Sequence, residues 1–111
     1  CNICDRELDL FAAIHRISPD GSKRDLVARG VRNTVGFDWH PKTKELWFTD
    51  NGRDMMGDDV PPCELNRLTK LGENFGYPYC HGRDVLDPRF GEGKSCANYT
   101  APVHGFPAHS A

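Results

Sequence analysis

The chain has no apolar run long enough to cross a bilayer, no recognisable signal peptide and no basic stripe. The first excludes a helical membrane span in this segment. The lack of a basic stripe, with a formal net charge of -2, argues against a nucleic-acid surface. The chain runs from Cys1 to Ala111 without a stop signal that we can rationalise, so we expect an excerpt of a longer protein. On that reading the missing signal peptide says nothing about secretion.

Several familiar motifs are also incomplete. Cys1-Asn2-Ile3-Cys4 is a CxxC with no second pair to complete a zinc site. Haem attachment would need histidine where Asp5 stands. A redox motif would open a helix after a strand, and neither is visible. A structural disulfide, or pairing to upstream chain, is the better reading. Asp50-Asn51-Gly52 lacks the spacing of an EF-hand. Gly93-Lys94-Ser95 mimics the end of a phosphate loop, but Pro88 stands where the first glycine belongs.

What is present is a small, turn-rich chain. Its 111 residues suit one domain. It is 38% hydrophobic and 27% charged, with a mean hydropathy of -0.61. Eleven Gly and eight Pro favour turns over long helices. Five cysteines point to an oxidising compartment or a metal site, and the odd count leaves one free or paired outside the segment. Cys80 and Cys96 bracket a loop that a disulfide would close. Asn98-Tyr99-Thr100 matches a glycosylation acceptor, a triplet common by chance.

Residues 11–17, 25–28, 34–40, 45–49 and 64–69 read as strands. Ser18-Pro19-Asp20-Gly21 is a turn signal, and Pro41-Lys42-Thr43-Lys44 joins two strands as a hairpin. His15 is expected half-exposed on its strand. Val35, Phe37 and Trp39 share one face, with Gly36, Asp38 and His40 on the other. Trp39 and Trp47 are expected in the core. Residues 50–62 lose periodicity and read as a solvated acidic loop, and from Gly82 onward the chain is turn-rich.

The fold class is therefore all-β, and the pattern suits about one and a half to two blades of a β-propeller. Such a piece leaves exposed edges and half a core. The hairpin returns the chain to the end of the sheet where it began. Arg32-Asn33 and Asn51-Gly52 should then share one rim, near the acids Asp54, Asp58, Asp59 and Glu64. A site for an anionic ligand and a metal could be built from those parts.

The residues that build this rim also carry a resemblance. Residues 30–41 (GVRNTVGFDWHP), 45–54 (ELWFTDNGRD), 57–59 (GDD), 61–66 (PPCELN) and 74–82 (NFGYPYCHG) resemble the soluble quinoprotein sugar dehydrogenases, closest to the sorbosone dehydrogenase-like branch. The resemblance covers the whole chain, as a fragment of a single domain, and is densest from Arg29 to Gly82. It implies a six-bladed propeller that oxidises aldoses at C1 by hydride transfer to calcium-bound pyrroloquinoline quinone (PQQ). It also implies a cytochrome c or quinone-type electron acceptor and a periplasmic or secreted location.

Residue by residue, the resemblance matches Arg32 and Asn33 to the pair that contacts the quinone. Gly52 and Arg53 match the positions whose backbone carbonyls hold the bridging calcium. Glu64 matches the acidic ligand of a second, structural calcium, and Phe75 the position that lends it a carbonyl. Two features depart from the better-studied glucose branch, which has proline where Arg53 stands and a shorter loop than residues 54–63. None of His15, His40, His81, His104 or His109 matches the family's general base, so no catalytic residue is assigned and the isolated segment is expected to be inactive. A calcium-dependent lactonase, with Asp38, Asp50 and Asn51 as ligands, and a non-catalytic binding propeller are the rival readings.

Overall fold

The computed structural model describes residues 2–7 and 9–110. Cys1, half of the CxxC, lies outside the described residues. The sheets follow the strand pattern read from the sequence. β1 (Ala13–Ile17) and β2 (Arg24–Arg29) form an antiparallel pair. Gly21, at φ +76°, closes the turn between them. β3 (Thr34–Trp39) and β4 (Leu46–Asp50) form the second hairpin. Its register places Phe37 opposite Phe48, and Thr34 opposite Asp50. β5 (Cys63–Arg67) adds antiparallel to β4.

Four short strands lie where turns were expected. β6 (Glu73–Asn74) runs parallel to the end of β2. β7 (Cys80–His81) pairs with β8 (Val85–Leu86). β9 (His104–Phe106) closes the four-stranded sheet β3-β4-β5-β9. Two or three residues are too few to show a period, so these strands exist only through their partners. Among the described residues the only helix is a 3-10 turn at Cys96–Asn98. The expected Cys80–Cys96 disulfide is formed. Among the described residues Cys63 is the free thiol, and it is buried.

The core lies between the two larger sheets. Ala28, Val31, Phe48 and Phe75 form its buried cluster. The Phe48 and Phe75 rings meet edge to face at 5.1 Å. Gly30 makes the junction possible. A Cβ there would stand 2.2 Å from Asn74 Oδ1 and 2.7 Å from the Gly76 nitrogen. The amides of Phe75 and Tyr77 donate to the carbonyls of Arg29 and Gly30, at 2.9 and 3.1 Å. The 73–77 segment is thereby locked across the end of β2.

The expectation that Trp39 is core fails. Trp39 is 57% exposed and Phe37 is 64% exposed, with Val35 beside them. These side chains and Ile14, Val27, Leu46 and Leu68 line an open groove of about 880 Å³ between the two sheets. The period-two reading of the face was right, but nothing among the described residues covers it. Trp47, on the next strand, is half-buried, and Arg67 lies over its ring. His15 is half-buried on β1, as expected.

Candidate functional site

The rim is built by the ends of β4 and β5 and by the corner entering β3. Asp50 closes β4. Its carboxylate accepts the backbone N–H groups of Arg32 at 2.9 Å and of Asn33 at 2.5 Å. The Asn51 amide returns a bond to the Asn33 carbonyl at 3.0 Å. The Arg-Asn corner and the Asp-Asn-Gly turn are thus tied together, as the hairpin length predicted.

Glu64 stands opposite Asp50 in the β4–β5 register. Both carboxylates are buried. Glu64 accepts the Gly82 amide at 2.6 Å and the Asn66 side-chain amide at 3.0 Å. Burial raises Asp50 to about 6 against the opposing effect of the Arg32 and Asn33 amides and the Arg32 charge. Burial raises Glu64 to about 7, and the facing Asp50 charge adds to it. Two acids facing each other out of water favour one shared proton or a cation between them.

A small, partly open cavity of about 10 Å³, room for about one water-sized centre, lies at this point. It is lined by Arg32, Gly52, Glu64 and Phe75, with Asp50 and Tyr77 among their neighbours. Four predicted site positions therefore converge on one cavity. Asn33 and Arg53 do not line it. Asn33 takes part through its backbone, as above. The Arg53 guanidinium turns away to Asp87, at 2.8 Å. Gly52 is required by packing: a Cβ would lie 2.7 Å from Pro61 Cγ.

Arg32 is mostly buried, its side chain 16% exposed. Nη1 donates to the Gly52 carbonyl at 2.8 Å. Nε and Nη2 donate to the carbonyl and side-chain oxygens of Asn2, at 2.8 and 3.0 Å. Asp54 Oδ2 lies 3.4 Å away on an exposed side chain. Asp54, Asp58 and Asp59 are solvated, so the acidic-loop reading of residues 50–62 holds for them. It fails for Asp50.

Sequence reasoning did not single out the Asp87 cluster, whose His81 also lines the cavity. Asp87 Oδ2 lies 2.8 Å from both Arg53 Nη1 and His81 Nε2. Its Oδ1 accepts the Arg89 and Phe90 amides. Burial alone would raise Asp87, but the bonds from His81, Arg53 and the two amides outweigh it and hold it at about 2. Burial lowers His81 more than the Asp87 bond raises it, so the ring is neutral near pH 7. No local motif marks these three residues: His81 and Asp87 are six positions apart, but Arg53 is thirty-four from Asp87. Asp50 meets Glu64 only through the β4–β5 register, which is set across the long 51–62 loop.

The ligand set of the lactonase reading does not assemble. Asp38 is exposed on β3, and its carboxylate accepts the adjacent Trp39 amide at 2.7 Å.

A sequence profile described as Glucose / Sorbosone dehydrogenase matches residues 14–111. An uncharacterized protein of Borreliella burgdorferi is 40% identical over 101 residues, covering 90% of this chain and 27% of the relative. The crystal structure of a "putative oxidoreductase (glucose dehydrogenase)" from Thermus thermophilus superposes with a TM-score of 0.50 at 30% identity. That match covers 74% of this chain and 20% of the other. The chain thus spans about a quarter of the length of these relatives. It belongs to the glucose/sorbosone dehydrogenase family. Its all-β architecture, one four-stranded sheet beside part of another, is that of a piece of the six-bladed propeller expected from the sequence.

Proposed function

We propose that this chain, as a member of the glucose/sorbosone dehydrogenase family, supplies part of the cofactor rim of a PQQ- and calcium-dependent aldose dehydrogenase. The observation that carries the reading is the convergence of Arg32, Gly52, Glu64 and Phe75 on one cavity, beside a corner whose backbone Asp50 fixes. The donor set suits calcium. It offers hard oxygens from carboxylates and a glycine carbonyl, and the facing acids Asp50 and Glu64 have raised pKa values that a cation would relieve. The Arg32 guanidinium suits an anionic quinone, because its three shortest bonds go to neutral oxygens and the nearest carboxylate oxygen, on exposed Asp54, is 3.4 Å away.

On this reading Glu64 and the Phe75 carbonyl hold a structural calcium, and the Gly52 and Arg53 carbonyls hold the ion beside the quinone. When bound, the quinone and its calcium supply the hydride acceptor for the sugar C1. This chain's own part is to bind and orient. Arg32 sets a positive charge where an oxygen gains negative charge. Asp50 holds the Arg-Asn corner rigid, and the buried Phe48–Phe75 contact keeps β4 and the 73–77 segment in register behind it. The general base and further basic contacts belong to other parts of the parent propeller. His81, bonded to Asp87, lines the same cavity and is engaged there by that bond.

The Cys80–Cys96 disulfide and the disulfide-bonded Cys4 support a periplasmic or secreted parent. An aldose is the proposed substrate, and a cytochrome c or quinone-type carrier the proposed electron acceptor. The test is to titrate the full-length parent with PQQ, with and without calcium, and then add aldoses. Calcium-dependent binding with bleaching of the quinone absorbance by a sugar is expected. Saturating PQQ without any spectral change would leave a propeller scaffold with another role.

A further inference from the structure

The Cys1–Cys4 motif has so far been assigned no part in the site. We propose that Asn2 is a positioning residue for Arg32, and that the Asn2–Cys4 segment is one wall of the rim. The inference deepens the reading of Arg32 as a quinone contact and rests on it.

Asn2 uses its whole amide. Its carbonyl and side-chain oxygens take the Nε–Nη2 edge of Arg32, at 2.8 and 3.0 Å. The same Oδ1 accepts the Asp54 amide at 2.8 Å, and Nδ2 donates to the Asp54 carbonyl at 2.9 Å. Gly52 takes the remaining side of the guanidinium through Nη1. The fork is therefore fixed in its plane from two edges, by the Asn2 segment and by the 50–54 turn. The segment is itself anchored: Ile3 is buried, and the Cys4 amide donates to the Tyr77 hydroxyl at 3.0 Å. Tyr77 lines the same cavity as Arg32.

The choice of residue type matters. A carboxylate at position 2 would form an ion pair with Arg32 through Nη2 and cancel its charge, the Nε side being held by the backbone carbonyl. An amide of the same shape fixes the orientation and leaves the charge for an incoming anion. The Asp54 carboxylate does not cancel it either, because that contact is 3.4 Å long and 58% of the Asp54 side chain is exposed.

The experiment uses the full-length parent as wild type, Asn2→Ala, Asn2→Asp, Arg32→Ala and the Asn2→Ala/Arg32→Ala double variant. PQQ dissociation constants are measured by absorbance in the presence of calcium. The rate of phenylglyoxal modification at Arg32 is measured on the cofactor-free protein by peptide mapping. Asn2→Ala should raise the PQQ constant about tenfold by releasing the fork. Asn2→Asp, which keeps the shape, should raise it about a hundredfold by cancelling the charge. In the Arg32→Ala background, Asn2→Ala should change the constant by less than about twofold, since its effect passes through the missing guanidinium. Arg32 should react faster with phenylglyoxal in Asn2→Ala than in wild type.

A purely structural role predicts equal effects of alanine and aspartate and additivity with Arg32→Ala. Either result would overturn the proposal, as would wild-type behaviour of Asn2→Ala. If wild type binds no PQQ, the cofactor reading fails separately and the phenylglyoxal rates decide. Faster modification in Asn2→Ala then supports the bracket, and an unchanged rate removes it.

Discussion

The two ends of the β3–β4 hairpin are built on opposite plans. At the rim, charged groups are buried: Asp50, Glu64 and Asp87 are shielded from water yet hydrogen-bonded. Along the body of β3, apolar groups are exposed: Val35, Phe37 and Trp39 face the open groove. The usual sorting of residues is reversed at both. The rim tolerates buried charge because backbone amides and side-chain donors within the chain satisfy it. The β3 face has no partner among the described residues, and an apolar patch of that kind marks a surface meant to be covered. The rim's buried acids thus find hydrogen-bond partners within the chain, whereas the sheet face finds no cover among the described residues.

The largest test of this contrast is in the core that separates the two regions. Phe48→Ala should destabilise the chain by about 3–5 kcal/mol, measured by denaturant unfolding, because the side chain is fully buried. A loss below about 1 kcal/mol would mean that the core is not closed in solution.

Acidity provides the next test. Asp50 and Glu64 have raised folded pKa values, so the folded state binds their protons more tightly than the unfolded state. Their contribution is fully present below the ordinary carboxylate range and is lost as pH rises through about 6 for Asp50 and about 7 for Glu64. The metal-free chain should lose stability between about pH 4 and pH 7, by at most about 3 kcal/mol per acid. Calcium should restore much of that loss at about pH 8. Asp87 has the opposite sign: its contribution holds above the ordinary range and disappears as pH falls towards about 2. A flat profile across that range, with or without calcium, would count against a charged pair at the cavity.

Replacing both Cys80 and Cys96 by serine should cost about 3 kcal/mol, as expected for a loop of this length. The effect should appear in thermal unfolding and disappear when wild type is assayed under reducing conditions.

The smallest effect sharpens the contrast most. Phe37→Ala should cost less than about 1 kcal/mol in this chain, because the ring is mostly solvated. In the full-length parent, with the face covered, the same change should approach the cost of Phe48→Ala. Equal small costs in both contexts would mean that the face stays open in the whole protein.

Much of this contrast was legible in the sequence. The alternation of 34–40, the hairpin at 41–44 and the Asp-Asn-Gly turn fixed which residues share a face and which share a rim. Arg32, Gly52, Glu64 and Phe75, which the resemblance assigned to a quinone contact and two separate calcium sites, all line one small cavity. Asn33 and Arg53 were placed near it, but the Arg53 side chain is engaged by Asp87. The burial of Trp39 was misjudged because periodicity reports sidedness and cannot report whether a partner sheet is present.

The sequence by itself determined the local elements, for a physical reason: pleat, turn and disulfide spacing depend on neighbours along the chain. Only the tertiary structure decided which residues meet across it. Asp50 faces Glu64 because of strand register, Arg53 and His81 meet at Asp87 across the β7–β8 segment, and Asn2 reaches Arg32 from thirty positions away. Such contacts depend on how the chain returns on itself, so no local pattern of residues could announce them.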